Sequence, residues 1–269
     1  MKLITLIKEK ISNMLGGIHG DLITHEKMKL SDKQIPDWIK RQATLGPNVE
    51  VDGEQTDDNS FWYLLAVCCP LIYESYAIVL HPFWINWKAK DLIESGSKLT
   101  EAQVKKEDFQ RLTWANFFKV FNKKYEFNTA NSTSIEIQEN LRKSGWPIHI
   151  WYPEEGNCET PELKFILNKL IEKYGDSEVN YFYALLKTKK WENEIVYRGN
   201  LTDFESLKSK GDIRDSPTAI FPDDKSWCIV TDYDLPFTYV GGSREFIKRI
   251  TNSSEFDLYE LEPKFNEKK

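Results

Sequence analysis

The sequence predicts an α+β protein, with an antiparallel or mixed sheet packed against several helices. Three observations carry this. Helical and strand-like segments are interspersed without the regular alternation of a doubly wound sheet. Thr160-Pro161-Glu162 through Gly175 holds a full set of helix start and stop signals. The stretch from Phe221 to Ser243 reads as a strand, a tight turn, a second strand and a Gly-Gly-Ser entry into a helix.

Residues 1–50 are expected to form an N-terminal helix and an irregular arm, and residues 51–269 the α+β body, with 128–147 as the place where two lobes would meet. Leu3, Ile7, Ile11 and Leu15 recur at near-helical spacing, and Gly16-Gly17 ends that pattern. Its apolar stripe is read as docking on the body or on another chain. A short helix is expected around Asp37-Trp38-Ile39-Lys40, with Pro36 at its first position. The run Glu50 to Ser60 is acidic and turn-rich, as an exposed loop would be.

Phe61 to Val67 and Tyr76 to Leu80 are dense in apolar residues and are read as short buried strands, with a buried helix as the alternative for the first. Residues 88–111 are charged, part helix and part loop. Trp114, Phe117, Phe118, Phe121 and Tyr125 follow at helical offsets, with Thr113 as a cap. Ile135 to Lys143 is another helix, stopped by Gly145, and Ile148 to Trp151 a strand. In the helix opened by Thr160, that residue is expected to cap free amides, Pro161 has no amide to satisfy, and Glu162 complements the dipole. Leu163, Ile166, Leu167, Leu170, Ile171 and Tyr174 form its apolar face. Strands are expected at 181–186 and 194–197, then a short helix over 203–208. Trp227 to Asp232 is read as a strand paired with Phe237 to Val240. Ser243 caps the helix Arg244 to Ile250, and Phe256 to Leu261 is a final edge strand.

Composition narrows the classes of function. The chain has 269 residues, 41% hydrophobic and 13% aromatic, so a substantial core can be built. A net charge of −6 argues against a general nucleic-acid binder, which needs a basic face. The four cysteines include no Cys-x-x-Cys spacing, so neither a zinc knuckle nor a redox pair is expected. Lys8, Glu9 and Lys10 interrupt any signal-peptide core, and the most apolar run is too short to span a bilayer. A cytoplasmic protein without membrane contact is expected.

Pro222-Asp223-Asp224-Lys225-Ser226-Trp227-Cys228-Ile229-Val230-Thr231-Asp232-Tyr233-Asp234, followed by Thr238-Tyr239-Val240-Gly241-Gly242-Ser243, resembles a family of uncharacterised bacterial proteins abundant in actinobacteria. Its members read roughly Trp-Pro-x-Asp-Arg-x-Trp-Cys-Val-x-Thr-Glu-x-Asp, then Thr-Tyr-Val-Gly-Gly-Ser. Tyr76-Ala77-Ile78-Val79-Leu80-His81-Pro82 is similar to the family's Tyr-Ala-x-x-x-His-Pro, and Thr160-Pro161 to its central Thr-Pro. The likeness covers residues 70–261 in patches and implies no activity. Lys225 stands where the family has Arg, and Asp232 where it has Glu. Lys is a poor substitute in a bidentate clamp.

Candidate site residues follow from the same stretch. Asp232 and Asp234 share a face if the strand continues, and two acids there suit a divalent cation or acid/base work. The plainer reading is a strand end where Asp accepts backbone amides. Gly241, Gly242 and Ser243 put free amides at a helix start, a weak anion site. Simple turn geometry with a Ser cap is the commoner meaning. His81 is the catalytic histidine candidate, with Ser75 and Asp91 as nameable partners, against a core histidine with satisfied nitrogens. Trp84, Trp87 and Trp114 with Lys88 and Lys90 resemble an aromatic-basic surface, though core or rim positions suit Trp84 and Trp87 better. No metal site and no cofactor is expected.

Two functions are consistent with this. One is a non-catalytic interaction module, for example an immunity-type inhibitor that masks a toxin through an acidic, aromatic-rich surface. The other is a metal-assisted hydrolase using Asp232 and Asp234.

Overall fold

A computed structural model describes residues 28–32, 34–40, 49–51, 60–191, 193–261 and 265–267. The expected helix over 1–15 and most of the acidic run 50–60 lie outside the described residues.

An eight-stranded antiparallel sheet forms the centre. Its order is β1 (Lys29–Leu30), β8 (Ile195–Asn200), β7 (Glu178–Tyr183), β9 (Ala219–Phe221), β10 (Cys228–Val230), β11 (Phe237–Gly242), β3 (Ser75–Leu80) and β12 (Leu258–Leu261). Strand β3 is buried at every position, because both faces of the sheet are covered. Ala77 and Val79 enter one core with Ile220, Ile229 and Val240, beneath α6 (Thr160–Tyr174) and α7 (Arg244–Thr251). Tyr76, Ile78 and Leu80 enter the other with Phe221, Val230 and Tyr239. That second layer contains α2 (Phe61–Cys68), α4 (Trp114–Val120) and α5 (Ala130–Ser144). The fold is therefore α+β, as expected.

A second sheet has the order β5 (Gln110–Leu112), β4 (Phe83–Ile85), β6 (Ile150–Trp151). Phe83, Ile85 and Ile150 pack into the second core. The helix α3 (Trp87–Glu94) follows β4, with the Asn86 side chain accepting the amide of Ala89. A two-stranded sheet joins β2 (Val49–Val51) to β13 (Phe265–Glu267).

Most local readings match these elements, and several do not. The strand expected over 181–186 ends at Tyr183 and gives way to a 3-10 turn over Leu185–Lys187, and the edge strand expected to be the last is followed by β13. Phe61–Cys68 is a helix, not a strand. The segment is apolar on all sides, so periodicity does not decide between the two, and Ser60 decides it by accepting the amide of Tyr63 at 3.2 Å. Thr160 makes no cap hydrogen bond. Glu159 holds the cap position of α6, and Thr160 and Pro161 lie in its first turn. Pro36 precedes α1 (Asp37–Lys40) and supplies its carbonyl to the Ile39 amide.

The expected hairpin forms, and its register pairs Cys228 with Gly241, Ile229 with Val240 and Val230 with Tyr239. Thr113 and Ser243 cap their helices. Gly145 and Gly175 end α5 and α6 at φ +87 and +81, where a side chain would be strained. Residues 128–147 mainly form α5, one helix of a layer, and both cores rest on the same central sheet. Of the arm, Met28 is buried in the first core and β1 lines the sheet edge. Among the described residues, no helix is long and apolar enough to cross a membrane.

Candidate interaction cleft

The segment after β10 builds a corner that clamps a loop. His81 is fully buried, and both ring nitrogens are taken. Its Nδ1 lies 2.8 Å from the Glu154 carbonyl, which only accepts, so Nδ1 carries the proton. Its Nε2, at 2.9 Å, then accepts from the Thr238 hydroxyl, which in turn accepts from Thr231 at 2.8 Å. Burial lowers His81 to about 3, against the pull of the Glu154 carbonyl, so the ring is neutral. Ser75 and Asp91 are not its partners: the Ser75 hydroxyl donates to Glu260.

Asp232 accepts the Asp234 amide at 2.9 Å, closing the turn between β10 and β11. Burial raises the Asp232 carboxyl, while that amide and Lys187 lower it. Among the described residues, no group of three or more His, Cys, Asp or Glu side chains is arranged to hold a metal ion. Gly156 docks on this same turn. Its amide donates to the Leu235 carbonyl at 3.0 Å, its φ is +72, and a Cβ there would lie 2.7 Å from the Tyr233 carbonyl oxygen.

Gly241 and Gly242 lie within β11, opposite Tyr76 and Ser75. A Cβ on Gly241 would come within 2.3 Å of the Tyr73 ring, which explains the glycine without a ligand. At the start of α7 the Arg244 amide already donates to the Glu74 carboxylate at 3.2 Å, and Ser243 takes the Phe246 amide. The chain's own anion sits where an external one would be expected.

Lys187 is buried, and its ammonium donates to the carbonyls of Thr231 at 2.7 Å and Pro217 at 3.2 Å. Burial lowers it to about 7, with Asp232 and Asp215 opposing. Burial also pushes the Cys158 thiol up to about 12, far from a reactive thiolate. Cys69 and Cys228 face each other at 3.8 Å between sulfurs, both as free thiols. Of the aromatic-basic group, Trp114 is wholly buried and donates to the His81 carbonyl, while Lys88 pairs with Asp108 and Lys90 with Glu94.

The loop clamped by His81 and Gly156 borders a cleft of about 430 Å³ lined by Trp84, Lys106, Phe109, Trp151, Tyr152, Glu154 and Glu159. Its floor follows from strand register. Trp84 lies opposite both Arg111 and Trp151, so the three stand in a row across β5, β4 and β6. Because Phe83 and Ile85 point into the core, Trp84 points the other way. Trp151 stacks on Phe109 with centroids 3.8 Å apart, yet stays 38% exposed. The Tyr152 hydroxyl is held by Ser134 at 2.6 Å. A second hollow of about 370 Å³, lined by Gln138, Arg142, Trp146, Trp151 and Tyr152, opens beside it.

The Glu159 carboxylate accepts the Trp84 indole N–H at 2.9 Å, and Glu154 accepts from the Asn157 amide at 2.9 Å. Burial raises the Glu159 carboxyl, with Glu154 adding to the effect and Trp84 and Arg111 opposing it. Arg111 itself is paired with the fully buried Glu162. The cleft thus offers aromatic faces and two carboxylates. None of Trp151, Tyr152, Glu154 and Glu159 was a candidate from sequence.

Compared with known proteins, the chain matches no family model, no curated protein and no solved structure.

Proposed function

We propose that the chain is a non-catalytic, cytoplasmic interaction module that engages a protein partner through the Trp84–Trp151 cleft. An immunity-type inhibitor, masking a toxin, is the concrete form of this reading. The observation that carries it is Trp151, a large ring left 38% exposed on the cleft wall. Exposed aromatic anchors beside hollows are the residues that dominate protein interfaces. The acidic balance of −6 suits a basic partner. The motif shared with the actinobacterial family is, on this reading, architectural: His81, Thr231, Thr238 and the turn at Asp232–Leu235 hold the loop whose end carries Glu154 and Glu159.

The test is affinity capture from native lysate with the tagged chain and its Trp151→Ala variant. The expected result is a stoichiometric protein recovered by the wild type and lost with the variant, whose far-UV circular dichroism is unchanged. Equal recovery by both removes the cleft from the interaction. Recovery of nothing by either counts against the module itself.

A further inference from the structure

We propose that the cleft takes a guanidinium group, presented as an arginine side chain on the protein partner. The inference rests on the interaction reading above and assigns the chemistry of its anchor. Four observations point to it.

First, the walls are rich in aromatic rings. Trp84, Trp151, Tyr152 and Phe109 surround the space, and ring faces attract cations, Arg more often than Lys. Second, the two carboxylates have no ion-pair partner in contact. Among the described residues, neither Glu154 nor Glu159 has a Lys, Arg or His nitrogen within ion-pair distance, although Glu159 is half-buried; Arg111, paired with Glu162, acts on Glu159 only from beyond contact. A half-buried carboxylate without a cation in contact gains most from one that also supplies N–H donors. Third, the chain already places a cation here: the Lys106 ammonium stands 6.0 Å from the Trp151 ring centroid. Lys106 is exposed on a flexible stem, so it can yield to an incoming group. Fourth, a planar guanidinium stacks flat on a ring while offering a carboxylate two parallel N–H donors, a geometry the compact ammonium lacks. A neutral sugar would stack on the same rings and could donate hydroxyls to the carboxylates, but it brings no positive charge to meet theirs. An anion would meet Glu154 and Glu159 directly.

The experiment observes tryptophan indole N–H resonances of the full ¹⁵N-labelled chain. The Trp84 signal is a built-in reporter, because that N–H is bonded to Glu159. The probes are a short arginine peptide and its citrulline counterpart, which has the same shape without the charge. The expected result is a saturable shift of the Trp84 and Trp151 signals with the arginine peptide and none with citrulline at equal concentration. Glu159→Gln keeps an acceptor for the Trp84 indole and is expected to weaken binding by about tenfold or more. Trp151→Ala is expected to abolish the Trp84 shift. Equal shifts with both peptides, a shift only with a neutral oligosaccharide, or unchanged affinity in Glu159→Gln would each overturn the assignment. Failure here with partner capture still lost in Trp151→Ala removes the arginine and leaves the interaction surface. Peptide binding without any captured partner leaves the cationic site and removes the interaction reading.

Discussion

Lys187 gives the protein a pH dependence that can be read with its sign. Its ordinary value is 10.5, and in the fold it is about 7. Between these values the unfolded chain holds a proton that the folded chain has released, so stability contributed by this group rises with pH from 7 to 10.5. It is largely absent at neutral pH and fully present only above the ordinary value. The Lys187→Met variant is expected to lose this rise, which urea midpoints across that window would measure. An identical slope in both proteins contradicts the burial of the amine. His81 works in the acid range, where its value falls from 6.5 to about 3. Its contribution is complete above pH 6.5 and is lost as pH falls towards 3, because only the unfolded chain takes the proton readily. The loss is of order a few kcal/mol. In His81→Asn, which can still donate to the Glu154 carbonyl, the acid-side loss is expected to be much smaller. Acid titrations followed by intrinsic fluorescence compare the two.

The clamped loop and the hairpin beneath it make their own demands. Gly156→Ala would drive a Cβ to 2.7 Å from backbone at Tyr233, and at φ +72. The expected cost is about 1–3 kcal/mol, measured by denaturant unfolding, together with weakened partner capture, since the loop carrying Glu154 must shift. Gly241→Ala, against the Tyr73 ring, is expected to cost a similar amount while leaving capture by the surviving fold unchanged. The contrast separates loop placement from general destabilisation. These elements were legible in sequence to very different degrees. Helix α6 was readable because Pro161, a six-residue apolar face and Gly175 all agree on its bounds. The hairpin was readable because its turn chemistry sits between two apolar runs. Helix α2 was misread because an all-round apolar segment has no face to reveal its period, and only Ser60 marked its start. The resemblance singled out His81, Asp232, Gly241 and Ser243, and the contacts that occupy them are internal: a carbonyl, an amide, a ring and a cap.

Across the molecule, the division is between a scaffold written in adjacent residues and a site assembled from distant ones. Trp84 and Trp151 are neighbours only because β4 and β6 pair, and the pairing of these short strands leaves no local signature. Glu159 reads in sequence as a residue ahead of a helix, and its contact with Trp84 depends on where α6 starts relative to the small sheet. The two packed cores fix both. Trp114, wholly buried in the second core and bonded to the His81 carbonyl, is the side chain whose loss should be felt furthest: Trp114→Ala is expected to cost about 3–5 kcal/mol in denaturant unfolding. The most direct test of the cleft as the place of contact is site-specific photo-crosslinking in native lysate, with a benzophenone side chain placed at position 106 on the cleft wall, which leaves Trp151 intact, or, in a separate protein, at position 234 in the motif turn. A single crosslinked partner from position 106 and none from position 234 is the expected result; a partner from 234 alone, or none from 106, would contradict it.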